Sequence, residues 1–199
     1  TQIYQEGVAS VHGAMIRHLM QPQGEHALNS LRQILSGESV SYNLPNHIYN
    51  TLGKAYGELI GGNLCLLAHL VGSSSFPDLK GKILFLEDVG EYYYNLDRMV
   101  IQLKRAGVFN DLAGLVIGQF SDMKDISSSY FGKDAWSILQ EHVQEYNYPK
   151  IYNFPVGHVP DNRALPVGVP ATIEVDAYTA KLSITFTNKA ANEMKDRIR

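Results

Sequence analysis

The chain has 199 residues, of which 45% are hydrophobic and 19% are charged, and its formal net charge is −3. This composition is that of a globular protein and excludes a disordered one, and the length fits one domain or one domain with part of another. The lack of a basic stripe argues against a nucleic-acid partner. No apolar run approaches the roughly 20 residues that a membrane-spanning helix needs, so no membrane partner is expected.

The first 50 residues contain short elements that are separated by turn residues. Residues 1–12 have the pattern of a helix end, a glycine stop and a short strand. The apolar spacing of residues 27–35 predicts a short helix, and residues 37–50 indicate an extended or irregular segment. We therefore expect residues 1–20 to be the remnant of a truncated N-terminal α/β domain without its sheet partners, and residues 21–50 to be an interdomain linker.

From residue 51 onward, apolar strands alternate with amphipathic helices. Strand-forming runs are predicted at residues 54–60, 82–87, 112–119 and 151–156. Those at 82–87 and 112–119 are predicted to be buried, and the run at 82–87 is continuously apolar, as is typical of a parallel strand. Helices are predicted between these runs, at residues 64–71, 95–106 (with Asn95 as the N-cap) and 134–146. Two further strands, at residues 171–175 and 181–186, predict a C-terminal β-hairpin. The order predicts an α/β fold, with a layered sheet and crossover helices over residues 51–187 and a polar tail at residues 188–199.

The single cysteine and the missing ligand motifs limit the chemistry of the chain. Cys65 lies in an apolar run and is expected to be a buried, reduced thiol, which fits a reducing compartment and a cytoplasmic location. No His-x-x-x-His, Cys-x-x-Cys, P-loop or Gly-x-Gly-x-x-Gly spacing occurs. We therefore expect neither a metal site nor a cofactor.

Two of the apolar runs end close to an ionisable side chain, Glu87 in one and His158 in the other. The carboxyl ends of parallel strands share one edge of a sheet, where ligands gather. A carboxylate that orients a histidine is two thirds of a nucleophilic triad, so we expect these side chains to meet. The alternatives are a Glu87 that caps a helix or pairs with Arg98, a purely structural His158, and Asp88 or Glu91 in place of Glu87.

The remaining candidates are weaker. Ser121 follows a strand but precedes a loop-like run, whereas a nucleophile elbow needs Gly-x-Ser-x-Gly between a strand and a helix. His12 also follows a predicted strand and ranks below His158. His18 lies on a helix or in the linker and is interpreted as a surface residue. The segment Gly61-Gly62-Asn63 either binds an anion at a helix N-terminus or forms a tight turn. The turn residues Asp161-Asn162-Arg163 are candidates for binding a polar group of a substrate.

Four segments resemble the serine LD-carboxypeptidases, the muramoyltetrapeptide carboxypeptidases of bacterial peptidoglycan recycling, to which microcin C immunity peptidases are related. They are Gly61–Leu64, Phe85–Glu91, Asp97–Met99 and Gly157–Gly168. The resemblance implies a Ser-His-Glu triad that is assembled between an N-terminal and a C-terminal α/β domain. It makes Glu87 and His158 the acid and the histidine of that triad. The serine would lie a few residues before Thr1, so the 199 residues alone are expected to be inactive.

Three functions are compatible with these residues. The primary hypothesis is hydrolysis of the amide between a diamino acid and the terminal D-alanine of a murein tetrapeptide, with His158 as base and acid and Glu87 stabilising the imidazolium. The second is an immunity peptidase that acts on a peptidyl-nucleotide antibiotic, with Tyr92-Tyr93-Tyr94 as cleft aromatics. The third is a non-catalytic module that binds cell-wall peptides. The resemblance also implies a homodimer and no cofactor.

Overall fold

The computed structural model describes residues 2–185, with side chains from Tyr4 onward. Its helices are α1 (Gln2–Gln5), α2 (Ile16–Leu19), α3 (Gly24–Leu35), α4 (Leu64–Leu70), α5 (Tyr93–Arg105) and α6 (Ala135–Val143). Its strands are β1 (Ser10–His12), β2 (Val40–Pro45), β3 (Gly53–Asn63), β4 (Ile83–Val89), β5 (Gly114–Ser121), β6 (Lys150–Ile151), β7 (Leu165–Val167), β8 (Val169–Val175) and β9 (Thr179–Ile184). The predicted tail at residues 188–199 lies outside the described residues.

Seven of the strands form one mixed sheet in the order β2-β9-β8-β3-β4-β5-β6. The long strand β3 joins its two halves: residues 53–59 pair antiparallel with β8, and residues 59–63 pair parallel with β4. Strands β4, β5 and β6 continue the parallel half, and β8 and β9 form the predicted hairpin. The α/β class with crossover helices is therefore confirmed. Within residues 2–185, no helix is both long and apolar enough to span a bilayer.

Strand β4 is buried on both of its faces, which explains why its sequence is a continuous apolar run. Its side chains alternate between two hydrophobic cores, with Ile83 and Phe85 in one and Leu84 and Leu86 in the other. The first core contains residues of α3 and of the segment between β6 and β7, and the second contains residues of α4, α5 and α6. This alternation places Glu87 on the face of the first core.

The segment that was expected to be a linker contains a strand of the main sheet. Strand β2 pairs antiparallel with β9, from Val40 opposite Ile184 to Pro45 opposite Thr179. Val40 and Tyr42 are buried while the residues after them are exposed, the alternation of a half-buried strand. Pro45 stands at the end of an edge strand, where its missing N–H is tolerated. The division of the chain into domains remains a prediction.

Two strand predictions near the ends of the domain need correction. The strand expected at residues 151–156 is regular only at Lys150–Ile151, because Asn153 adopts a left-handed conformation with φ +58°. The chain nevertheless continues beside β5, since the N–H of Phe154 donates to the carbonyl of Ile117 at 3.0 Å. The N-terminal strand β1 was expected to lack sheet partners, but it pairs antiparallel with β7.

Two helices, α4 and α6, have an N-cap side chain of a type that favours this position. Asn63 caps α4 and Asp134 caps α6. Each side chain accepts a hydrogen bond from the backbone N–H of the residue three positions later, at 3.1 Å for Asn63 and 2.7 Å for Asp134. Asn95 was expected to cap α5, but that helix begins at Tyr93 with Tyr92 as its N-cap residue. Cys65 is only partly buried, contrary to the expectation of a core thiol.

Candidate active site

Glu87 and His158 meet at the carboxyl end of β4. The carboxylate oxygen Oε2 of Glu87 lies 2.8 Å from Nδ1 of His158. The Glu87 side chain is 1% exposed and the His158 side chain is 37% exposed, so a buried acid supports an imidazole that is accessible from solvent. An ionised carboxylate only accepts hydrogen bonds, so Nδ1 is the donor and Nε2 carries the free lone pair. Within the described residues, Nε2 has no hydrogen-bond partner.

The surroundings of Glu87 favour its interaction with a protonated imidazole. Burial raises the pKa of Glu87, and the hydrogen bond from His158 opposes that rise. The other carboxylate oxygen, Oε1, is buried and has no hydrogen-bond partner among the described residues. A buried, ionised carboxylate with so few hydrogen-bond partners is strongly stabilised when a positive charge forms next to it. The pair can therefore accept a proton at Nε2 and stabilise the resulting imidazolium.

The loop that carries His158 depends on a glycine and a buried amide. Gly157 has φ +133°, and a Cβ added to it would lie 3.1 Å from Oε2 of Glu87. The buried side chain of Asn162 accepts the N–H of Gly157 at 3.0 Å, which holds the turn closed. The hydroxyl of Ser121 donates to the backbone carbonyl of His158 at 3.2 Å. Ser121 thus contacts the backbone of the histidine rather than its imidazole.

The polar residues after His158 form contacts with each other and with the neighbouring backbone and side chains. The guanidinium of Arg163 pairs with both carboxylate oxygens of Asp161 at 3.2 Å, and it lies 5.9 Å from the ring centre of Tyr42. Asn162 points inward to the loop, as described above. The substrate-binding role expected for Asp161, Asn162 and Arg163 remains a prediction.

The segment Gly61-Gly62-Asn63 ends β3 next to Glu87. A Cβ on Gly61 would lie 2.0 Å from the carbonyl oxygen of Phe85, so this glycine allows the close approach of β3 and β4. Besides capping α4, the side chain of Asn63 donates to Asp88 Oδ1 at 2.7 Å. Asp88 also accepts the N–H of Cys65 at 3.0 Å, so its carboxylate supports the start of α4. An anion-binding role for this segment remains a prediction.

These contacts distinguish between the alternatives for the acid. Asp88 is bound to α4 on the other side of the sheet, so it does not compete for His158. Glu91 accepts a hydrogen bond from Asn95 at 3.4 Å. The Arg98 guanidinium lies over the ring of Tyr94, 5.0 Å from its centre, rather than against Glu87. Glu87 is the carboxylate that the structure brings to the imidazole.

A small cavity next to His158 contains histidines that were ranked low from the sequence. It has a volume of about 70 Å³ and is lined by His12, Gly13, Met15, His18, Gly157, His158 and Asn162. His18 was interpreted as a surface residue, but it is buried, with 8% exposure. The described residues contain no group of three or more His, Cys, Asp or Glu side chains arranged to hold a metal. No local sequence signal marks this cavity, because its walls come from distant segments.

A comparison with known families identifies the fold around this site. A family model described as the LD-carboxypeptidase C-terminal domain matches residues 56–173, which is more than half of the chain. The chain belongs to the LD-carboxypeptidase family. The resemblance inferred from the motifs around Glu87 and His158 is thereby confirmed.

Similar proteins are consistent with this LD-carboxypeptidase assignment. The chain is 31% identical over 185 residues to the "Probable murein peptide carboxypeptidase" of Bacillus subtilis (strain 168), covering 90% of this chain and 58% of that protein. It is 30% identical over 184 residues to the murein tetrapeptide carboxypeptidase of Pseudomonas aeruginosa, covering 86% of this chain and 58% of that protein. The chain is also 28% identical over 184 residues to the microcin C7 self-immunity protein MccF of Escherichia coli.

Solved structures of LD-carboxypeptidase relatives share this fold. The crystal structure of muramoyltetrapeptide carboxypeptidase from Oxalobacter formigenes matches with a TM-score of 0.81 and 31% identity, over 92% of this chain and 63% of that one. A structure of MccF matches with a TM-score of 0.75 and 22% identity, which shows the fold alone. The chain therefore spans 58% to 63% of the length of the relatives with at least 30% identity described here.

Proposed function

We propose that the whole protein is a serine-type LD-carboxypeptidase that removes the terminal D-alanine of a murein tetrapeptide, and that Glu87 and His158 are two members of its triad. The observation that carries this proposal is the distance of 2.8 Å between the buried Glu87 carboxylate and Nδ1 of a solvent-accessible His158. The family assignment and the names of the relatives support the reaction class.

In this mechanism, Nε2 of His158 takes the proton of a serine hydroxyl as the oxygen attacks the carbonyl carbon of the scissile amide. The same proton passes from Nε2 to the leaving nitrogen, so that D-alanine departs as an amine and an acyl-enzyme remains. Water then repeats the sequence and releases the shortened peptide. Glu87 keeps the proton on Nδ1 and stabilises the imidazolium in both steps.

The proposal places the nucleophile on a segment that precedes residue 1 in the whole protein. Among the described residues, no hydroxyl or thiol is hydrogen-bonded to Nε2 of His158, and Ser121 donates to the backbone carbonyl instead. The relatives with at least 30% identity are longer than this chain, which leaves room for such a segment. We therefore expect the 199 residues alone to release no D-alanine.

A peptidyl-nucleotide substrate is the second candidate. Tyr92 and Tyr94 form a ring pair with a centroid distance of 5.5 Å, immediately after β4. The fold is also that of MccF, for which a structure in complex with glutamyl sulfamoyl guanosine matches with a TM-score of 0.74. Aromatic side chains such as these can stack on a base. We favour the murein peptide because the relatives with 30% identity or more are carboxypeptidases by name.

The test is a comparison of substrates with the whole protein. Purified protein is incubated separately with murein tetrapeptide, with the same peptide ending in L-alanine, and with glutamyl sulfamoyl guanosine, and products are measured by mass spectrometry. We expect release of D-alanine from the tetrapeptide and slower reaction of the other two. Faster hydrolysis of the nucleotide would favour the immunity reaction. Binding of the tetrapeptide without hydrolysis would favour a binding module and contradict the proposal.

A further inference from the structure

An apolar groove, the α4 groove, lies beside the end of the sheet that carries Glu87. It has a volume of about 210 Å³ and is lined by Gly61, Gly62, Asn63, Leu66, Leu67 and Leu70. Asn63 contributes the only polar side chain of this lining, and it is the residue opposite Glu87 in the pairing of β3 with β4. The groove therefore adjoins the acid of the proposed triad and offers few polar groups to a polar ligand.

Leucine side chains of α4 make one wall of the α4 groove apolar and exposed. Leu66 and Leu70 are one helical turn apart and so share a face of the helix. Leu66 is 68% exposed, whereas Leu67 is 5% exposed and belongs to the second core. A Cβ on Gly62 would meet no atom within 4 Å, so the surface beside these leucines is open. Exposed apolar surface next to a functional site is typical of an interface.

A second exposed apolar segment lies close to His158. Met15 lines the same small cavity as His158, and α2 begins at the next residue. Two side chains of this segment are highly exposed, Ile16 at 80% and Met20 at 83%. Both members of the acid and base pair thus have exposed apolar side chains nearby.

The opposite end of β3 has exposed apolar side chains as well. Ile48 and Leu52, which precede β3, are 88% and 59% exposed, and Tyr178 in the turn between β8 and β9 is 84% exposed. The N–H of Asn46 donates to the carbonyl of Tyr178 at 3.0 Å, so these residues share one end of the sheet. The length of β3, about 30 Å, separates them from the α4 groove. A partner docked only at this end would leave its nucleophile far from Nε2 of His158.

Helix α1 lies on the same side of the protein as α4. The side-chain amide of Gln5 donates to the carbonyl of Ser74, in the segment after α4, at 2.8 Å. Tyr4 packs against the second core, which contains the buried residues of α4. The proposed function places the nucleophile before residue 1, so the part that carries it joins the described residues on the α4 side.

We propose that the α4 groove, together with Ile16 and Met20, is the surface onto which the nucleophile-bearing part of the whole protein docks. The inference rests on the proposed function, which places the serine outside these residues. The occupant is an element of that part with apolar side chains, which covers Leu66 and Leu70. Its docking excludes water from the Glu87–His158 pair and places the serine hydroxyl against Nε2 of His158. The groove positions the nucleophile and contributes no group to the reaction.

Side-chain accessibility tests this docking surface without turnover. Hydroxyl-radical footprinting with mass spectrometry gives the oxidation rate of each side chain in the 199-residue chain and in the whole protein, both without substrate. We expect oxidation of Leu66 to fall at least about fivefold in the whole protein, and that of Ile48, an equally exposed aliphatic control, to stay within about twofold. Equal oxidation of Leu66 in both proteins, or protection of Ile48 in its place, would overturn the proposal.

Two other occupants of the α4 groove give distinct footprints. Protection of Leu66 that grows with the concentration of the 199-residue chain would assign the groove to a second copy. Protection of Leu66 in the whole protein only after addition of murein tetrapeptide would assign it to the substrate. Either result would overturn the docking surface.

A substitution at Leu66 connects the groove to the reaction. Leu66→Gln keeps the length of the side chain and a good helix former, so the unfolding temperature of the 199-residue chain should not change. In the whole protein we expect it to lower kcat/KM for D-alanine release about tenfold to a hundredfold, with Ile48→Gln within about twofold of the wild type.

The docking surface and the proposed function fail in different ways. Wild-type kcat/KM in Leu66→Gln, or an unprotected Leu66 in a whole protein that releases D-alanine, would overturn the surface and leave the reaction intact. Protection of Leu66 in a whole protein that releases no D-alanine would contradict the proposed function and leave the surface in place.

Discussion

Replacing Glu87 by glutamine tests the role of the buried acid with little change of shape. An amide has no negative charge, and it can present its NH₂ group to Nδ1 of His158. The ring proton would then move to Nε2, which could no longer accept a proton from the nucleophile. Because the carboxylate is 1% exposed and 2.8 Å from Nδ1, little solvent screens its effect.

We expect Glu87→Gln to lower kcat of the whole protein by roughly 10³ to 10⁴, the effect of disturbing the acid of a comparable triad. This corresponds to about 4 to 5.5 kcal/mol of transition-state stabilisation. The assay is the rate of D-alanine release from murein tetrapeptide at saturating substrate, with thermal unfolding as a check that the variant is folded.

The adjacent carboxylate offers a matched control. Asp88 is also buried, with 2% exposure, but its oxygens bind Asn63 and the start of α4. Asp88→Asn should therefore lower the unfolding temperature and keep kcat within about tenfold of the wild type. The reasoning is refuted if Glu87→Gln also retains kcat within tenfold, or if Asp88→Asn reduces kcat as strongly.

Three further predictions concern stability. Gly61→Ala places a Cβ 2.0 Å from a carbonyl oxygen of β4, so we expect it to lower the free energy of unfolding, measured in urea, by more than about 3 kcal/mol. Gly62→Ala should lower it by about 1 to 2 kcal/mol, because the Cβ added there meets no atom within 4 Å. Ser30→Ala removes the hydroxyl that accepts the buried N–H of Ala164 at 2.9 Å, which should cost about 1 to 3 kcal/mol. The pKa of His12 is about 4 in the folded protein and 6.5 for an ordinary histidine. Between these two pH values the unfolded chain binds more protons at His12 than the folded protein does, so the stability falls as the pH drops from 6.5 to about 4. His12→Phe should reduce that acid-induced loss by on the order of 2 kcal/mol.

Each of these predictions has its own control. Equal losses in Gly61→Ala and Gly62→Ala would show that the approach of β3 to β4 does not matter. Ser41→Ala, which removes an exposed contact with Ser183, should cost less than Ser30→Ala. His26→Phe should follow the acid profile of the wild type. An identical pH profile for His12→Phe would contradict the lowered pKa of His12.

The features of this fold that are determined by residues close together in the sequence could be predicted from the sequence. The continuous apolar run of β4, the hairpin of β8 and β9, and the Asn63 cap each follow from local pattern and turn chemistry. The meeting of Glu87 and His158 was also predictable, because chains that run parallel end at one edge of a sheet. This holds even though the strand before His158 becomes irregular after Ile151.

Other features depend on partners that are distant in sequence. Strand β2 is held by β9, and β1 by β7, neither of which is signalled within residues 1–50 themselves. The same is true of the cavity, where His12 and His18 approach a loop near the other end of the chain. A local sequence pattern shows that a segment can form a strand or a helix, but it does not show which distant segment will lie next to it. These contacts are therefore visible only in the folded structure.

The most direct test of the central claim is the rate at which whole protein carrying His158→Gln releases D-alanine from murein tetrapeptide. Glutamine is polar and of similar length but cannot shuttle a proton at neutral pH. If His158 is the base that Glu87 supports, a folded His158→Gln protein should lose at least about 10³ of the wild-type kcat. A folded variant that releases D-alanine at a rate close to that of the wild type would contradict the account.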